Sequence, residues 1–226
     1  MAIVPVELEL GPKRRVFAQA QGWVGWCRAG RDAETALAVL LAAGKRYAPV
    51  ATCGGVHFIP PQSTAGFVIV ERVAGTAVTD FGAPSVLFAS DRRALDEQEI
   101  DRQACLLQAC WFTFDAAFRR IPTAEQDVKP DRGRSPQAMR LHLVETERMH
   151  LSAFGRPARP ADPDRIDEQE AEARERLLTS LRALPRGEEF VPRSRYGFKW
   201  TPVFAVRRSA WHALDHAWEL EDRVLV

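Results

Sequence analysis

Two histidines, His212 and His216, stand four residues apart in a stretch, Trp211-His212-Ala213-Leu214-Asp215-His216-Ala217-Trp218, that otherwise has the composition of a helix. A helical turn takes about 3.6 residues, so both imidazoles project from one face, one above the other. Two neutral imidazoles so placed can grip one divalent ion. Many such pairs are ordinary surface or core residues, and the pair alone leaves both readings open. A third histidine, His142, adds weight. It is in register with Met139, Thr146, Met149 and Ala153, while His212 and His216 share a stripe with Ala205, Ser209 and Leu220. All three are therefore expected to face an interior, where an unpaired polar group costs roughly 1–3 kcal/mol. Three converging imidazoles satisfy one another around a cation and leave a fourth coordination position open, as reactive sites do. Each could equally bond to its own carbonyl or carboxylate.

The neighbouring charges admit the same two readings. Glu145, Glu147, Asp215 and Glu219 are candidate acceptors that fix imidazole tautomers. Glu145, one turn from His142, is also the candidate catalytic base on water at the ion. An exposed charged face would explain these carboxylates as well. Arg207 and Arg208 are candidate substrate-binding residues for a carboxylate, against the alternative of plain surface charge. His150, eight residues beyond His142, reads as an end-of-helix or surface residue.

The elements that must position these groups fall into two halves. The first has period two: Val6-Glu7-Leu8-Glu9-Leu10 alternates as a half-buried strand does, and Arg15 to Ala20 resumes the pattern after Gly11-Pro12. Trp23 to Cys27 predicts a third strand. Asp32 caps a helix over Ala33 to Ala43 that Gly44 ends, and Phe67 to Val73 predicts a fourth strand. The stretch from Thr76 to Ala89, with Gly82 and Pro84, joins the halves. From about Ser90 the period becomes helical, with Ile100, Ala104, Leu107, Trp111, Phe114 and Phe118 forming one stripe. Ser135-Pro136 opens a second helix that Gly155 stops, Asp164 to Leu184 forms a third, and Thr201-Pro202 opens the histidine-bearing fourth after a loop from Pro185 to Trp200. Four amphipathic helices most simply form a four-helix bundle. The expected fold class is α+β: a small α+β domain over residues 1–88, then a bundle over 89–226.

Composition bounds the rest. With 46% hydrophobic and 27% charged residues and a formal net charge of +1, the 226 residues suit an ordinary globular protein with no global field for nucleic acid. No apolar run approaches the roughly 18–20 residues that cross a bilayer, and no secretory signal is recognisable, so a cytoplasmic location is expected. Cys27, Cys53, Cys105 and Cys110 lack C-x-x-C spacing and read as free, mostly buried thiols. Lys13, Arg14 and Arg15 read as a solvated turn.

The helical half resembles the DinB-like superfamily, also called the YfiT-like metal-dependent hydrolases. The likeness rests on Leu141-His142-Leu143-Val144-Glu145 early in the second helix and on the His212 to His216 pair on the last. It implies a divalent ion, zinc or nickel, on His142, His212 and His216, in enzymes that include transferases and isomerases using a low-molecular-weight thiol cosubstrate. The first half resembles the HicB-like antitoxin domain through Gly22-Trp23-Val24-Gly25-Trp26-Cys27 and Gly30-Arg31-Asp32-Ala33-Glu34-Thr35-Ala36-Leu37. Without that family's C-terminal DNA-binding element, it is expected to act as a packing or substrate-gating module with Trp23 and Trp26 partly exposed. The expectation is a metal-dependent transferase, isomerase or hydrolase acting on a small molecule, as monomer or homodimer. The alternative is a non-catalytic binding or regulatory protein whose metal is structural and whose first half holds a partner.

Overall fold

Alternation along the first strand buries both of its faces. In the computed structural model, which describes residues 3–152, 160–184 and 200–224, strands β1 (Val4–Leu10), β2 (Val16–Ala20), β3 (Cys27–Gly30) and β4 (Phe67–Ala74) form one mixed sheet in the order β3-β2-β1-β4. β1 pairs antiparallel with β2 and parallel with β4, with a register shift between Val6 and Glu7. Val6 and Leu8 join a core shared with helix α1 (Ala33–Cys53). Glu7 and Glu9 point the other way, yet both are buried. Residues 76–91 and the last long helix cover that face. Glu9 accepts from the Thr79 hydroxyl and from Ser85 N at 2.9 Å. The alternation thus records two buried layers, one apolar and one polar, rather than an inside and an outside.

Helix α1 runs past Gly44 to Cys53, longer than its glycine predicts. A Cβ at Gly44 would lie 2.9 Å from Pro60 Cβ and 3.4 Å from Trp26 Cζ2, so the glycine admits the returning loop rather than ending the helix. Asp32 does cap the start, accepting from Thr35 N at 2.7 Å. Trp26 is fully buried rather than partly exposed: its Nε1 donates to Leu40 O at 2.9 Å, and its ring stacks on Tyr47. Trp23 is half-buried, with the Arg102 guanidinium over its ring at 4.2 Å.

A short helix, α2 (Ala77–Phe81), lies in the joining stretch. The four long helices of the second half are α3 (Glu97–Arg119), α4 (Pro136–Ser152), α5 (Ile166–Arg182) and α6 (Pro202–Val224). They pack on one another, α3 and α6 most extensively, and every member of the predicted α3 stripe from Ile100 to Phe118 is buried. Asp96 and Glu99 close a reciprocal cap at the start of α3. One hydrophobic core runs without a break from β1 through α1 into α3, α4, α5 and α6, across the joint placed near residue 88. The expected stop of α4 at Gly155 and the loop over 185–199 lie outside the described residues. Among those described, no helix is long and apolar enough to cross a membrane.

Candidate metal centre

Helix α6 is the innermost of the long helices. Ala205, Ala210, Ala213 and Ala217 are each fully buried, and such small side chains let its backbone approach the neighbouring helices closely. Thr201 fixes its start, accepting from Phe204 N at 3.1 Å and donating to Asp91 O at 2.7 Å. Helix α4 is started by Ser135, whose Oγ accepts from Ala138 N at 3.2 Å, with Pro136 in the first turn.

Together the two helices bring His142, His212 and His216 into one cluster. Ring centroids are 4.9 Å apart for His142 and His212, 5.7 Å for His142 and His216, and 4.7 Å for His212 and His216. One nitrogen from each lies within 4.8 Å of the others, and no other trio of His, Cys, Asp or Glu converges so among the described residues. His212 and His216 are buried and His142 is half-buried. Burial pushes His142 down to about 4, helped by the positive field of Arg134, and pushes His212 well below the usual histidine range. Both rings are therefore uncharged at neutral pH, with lone pairs free for coordination.

The third ring has its orientation fixed. His216 Nδ1 lies 3.1 Å from Glu219 Oε2. That hydrogen bond, with the charge of Arg223, holds the Glu219 carboxyl below its ordinary range, so it is ionised and accepts. In the neutral ring the proton then sits on His216 Nδ1 and Nε2 is an acceptor. That Nε2 is buried and has no hydrogen-bond partner among the described residues. An unpaired buried acceptor beside two uncharged imidazoles is a set of nitrogen donors close enough to hold one metal ion. His142, His212 and His216 are the three residues expected from the sequence to converge, and they do so.

The remaining predicted residues separate. Glu145 is exposed on α4. Arg207 is buried and bound through two nitrogens to Asp91, at 2.9 and 2.7 Å, with Val86 O at 3.1 Å, which gives it an internal structural partner. Arg208 is half-buried, lies over the Trp211 ring at 4.6 Å, and carries a buried Nη1 with no acceptor among the described residues. Its charge lowers His142 and His212, so it acts on the cluster electrostatically. Asp215 pairs with Arg28 at 3.0 Å, and Glu147 accepts from Trp111 Nε1 in the helical core. Of the four candidate tautomer-fixing carboxylates, Glu219 is the one that touches a ring of the cluster.

His150 is buried rather than terminal or surface-lying. Its Nδ1 is 3.0 Å from Ser209 Oγ, and burial pushes it down to about 3. The inward face of α4 runs through Met139, Leu143, Glu147 and His150, and two polar members hid it from a hydropathy pattern; Met149, assigned to that face, is 41% exposed. Of the four cysteines only Cys27 and Cys110 are buried.

A groove of about 880 Å³ borders Glu219, walled by Arg28, Arg46, Trp218 and Arg223. In comparisons with protein-family models, curated proteins and solved structures, the chain matches none.

Proposed function

We propose that this chain is a DinB-like, metal-dependent enzyme. In this reading His142, His212 and His216 hold one zinc or nickel ion on a four-helix bundle formed by α3 to α6, and residues 1–88 form a HicB-like module packed against it. The observation that carries the reading is the convergence of three imidazole nitrogens within 4.8 Å, one of them, His216 Nε2, buried without another partner. When bound, such an ion supplies Lewis acidity that lowers the pKa of a thiol or of water toward neutrality.

The protein's own groups do the rest. Glu219 keeps the His216 proton on Nδ1 and its Nε2 free. Arg208, with a buried Nη1 that lacks an acceptor, attracts the carboxylate of a small substrate or thiol cosubstrate. Burial pushes the Cys27 thiol up to about 12 and Cys110 higher still, so neither is a thiolate at neutral pH. In this reading the nucleophile is a low-molecular-weight thiol or water, and the reaction is thiol transfer, isomerisation or hydrolysis. The half-exposed His142 favours an open site over a closed structural one.

The test is metal content by mass spectrometry on untagged protein, beside His216→Ala. Near-stoichiometric zinc or nickel in the parent and little in the variant supports the reading and calls for a thiol-cosubstrate screen. A parent that binds neither ion after incubation ends it.

A further inference from the structure

A second, partly open pocket lies on the polar face of the sheet. It has a volume of about 220 Å³, and none of the three clustered histidines lines it. β1 contributes Glu7 and β2 contributes Gln19, which are directly paired across the strands and so project from the same face. Helix α3 contributes Gln103, and Val24, Leu95 and Val203 supply apolar wall.

Two amide oxygens in this cavity lack a donor among the described residues. Gln19 is 2% exposed, and its Nε2 is taken by backbone carbonyls, Ala20 O at 2.9 Å and Trp23 O at 3.4 Å. Those acceptors fix which end of the amide is oxygen, and Gln19 Oε1 is buried with no donor. Gln103 Oε1 is buried and unpartnered too. Glu7, 1% exposed, accepts from Gln21 Nε2 at 3.0 Å but has no ion-pair partner among the described residues. The other charges lining the cavity cancel: Asp91 pairs with Arg207, and Glu99 pairs with Arg93 at the exposed rim. Burial raises the Glu7 carboxyl above its ordinary range, outweighing the lowering effects of the Ser90 hydrogen bond and the Arg207 charge.

We infer that this cavity is a binding site for a small primary alkylammonium ion. An ammonium carries three N–H donors and one positive charge. The cavity presents three acceptors that lack full partners, Glu7, Gln19 Oε1 and Gln103 Oε1, and one carboxylate charge without an ion pair. The alkyl stem packs on Val24, Leu95 and Val203. A cavity of roughly 150 Å³ accepts benzene, so this one holds an amine of up to about eight non-hydrogen atoms. The site is independent of the metal reading.

The experiment is titration of the full chain with butylammonium, by calorimetry and ligand-observed NMR. Butanol, which lacks the charge, and tetramethylammonium, which lacks the N–H groups, serve as controls. Saturable one-to-one binding of butylammonium alone is expected. Glu7→Gln and Gln103→Leu should each weaken it roughly tenfold or more, since each removes a buried acceptor for a charged donor. His216→Ala should bind it as the parent does. If Glu7→Gln fails to fold, by circular dichroism, Gln103→Leu decides. The inference is overturned by no saturable binding, as for a cavity that holds only water. Equal binding of tetramethylammonium, or affinity unchanged in the folded variants, overturns it too.

Discussion

His216 and Glu219, one helical turn apart on α6, meet at 3.1 Å through Nδ1 and Oε2, and this contact leaves His216 Nε2 buried and bare. Arg223 holds the same carboxylate from the next turn and also donates to Arg134 O at 2.8 Å, tying the loop before α4 to the helix that carries two of the three histidines. The ring orientation is therefore set by a relay along one helix face, independent of any ion.

Glu219→Gln tests that relay. The amide keeps the shape but can present its NH2 to Nδ1, which favours the wrong tautomer and places the proton on Nε2. Loss of such an outer partner typically lowers metal affinity about 10–100-fold. Competition with a chelating dye should show that weakening with the fold intact. Affinity equal to that of the parent would remove Glu219 from the site.

Much of this was legible in the residues. The order strand-strand-strand-helix-strand holds, as do the α3 stripe and the inward direction of His212 and His216, but the third strand runs over Cys27–Gly30 rather than Trp23 to Cys27, because Gly25, at φ 90°, turns the chain just before it. The misreadings share a cause, which is polar or small residues placed by tertiary contacts. Gly44 looked like a helix stop because its reason, Pro60, lies elsewhere in the chain. Glu7 and Glu9 looked solvent-facing because the helix that covers them comes some two hundred residues later. Glu147 and His150 broke the apolar stripe of α4, so the face they belong to was assigned one residue away. His216 and Glu219 could be suspected from their i, i+3 spacing, but Glu145, Glu147 and Asp215 were equally plausible partners until the fold placed them.

Arg207→Met separates structure from substrate binding. Arg207 and Asp91 form an ion pair with side chains only 6% and 1% exposed. Removing one partner of a buried pair leaves the other charge uncompensated, at a cost of roughly 3–5 kcal/mol. Thermal unfolding should show a large loss of stability for Arg207→Met, most of which a second change, Asp91→Leu, recovers. A stable Arg207→Met protein with altered ligand binding would return Arg207 to the functional residues.

Gly44→Ala opposes two effects at one position. Alanine is favoured over glycine in a helix interior by about 1 kcal/mol. The added methyl would meet Pro60 at 2.9 Å and Trp26 at 3.4 Å, and overpacking of this kind costs typically 1–3 kcal/mol. The net expectation is a lower midpoint of thermal unfolding. A higher midpoint would mean that the loop carrying Pro60 yields at little cost.

Glu147 should give stability a pH dependence opposite to that of the histidines. Burial raises its carboxyl from 4.5 to about 8, against the lowering effects of Arg174 and of the Trp111 hydrogen bond. The folded chain then keeps a proton that the unfolded chain has released, so stability falls as pH rises between those values. His142 and His150 are shifted downward from 6.5, and their contribution is lost as pH falls below 6.5. From about pH 7 to 8, His142 and His150 are largely neutral in both states and Glu147 acts with little contribution from them. Denaturant unfolding of the metal-free protein in that window should lose stability on the order of 1–2 kcal/mol. Glu147→Gln, which stays neutral at every pH and can still accept from Trp111, should flatten the slope. An unchanged slope in the variant would assign the dependence to another group.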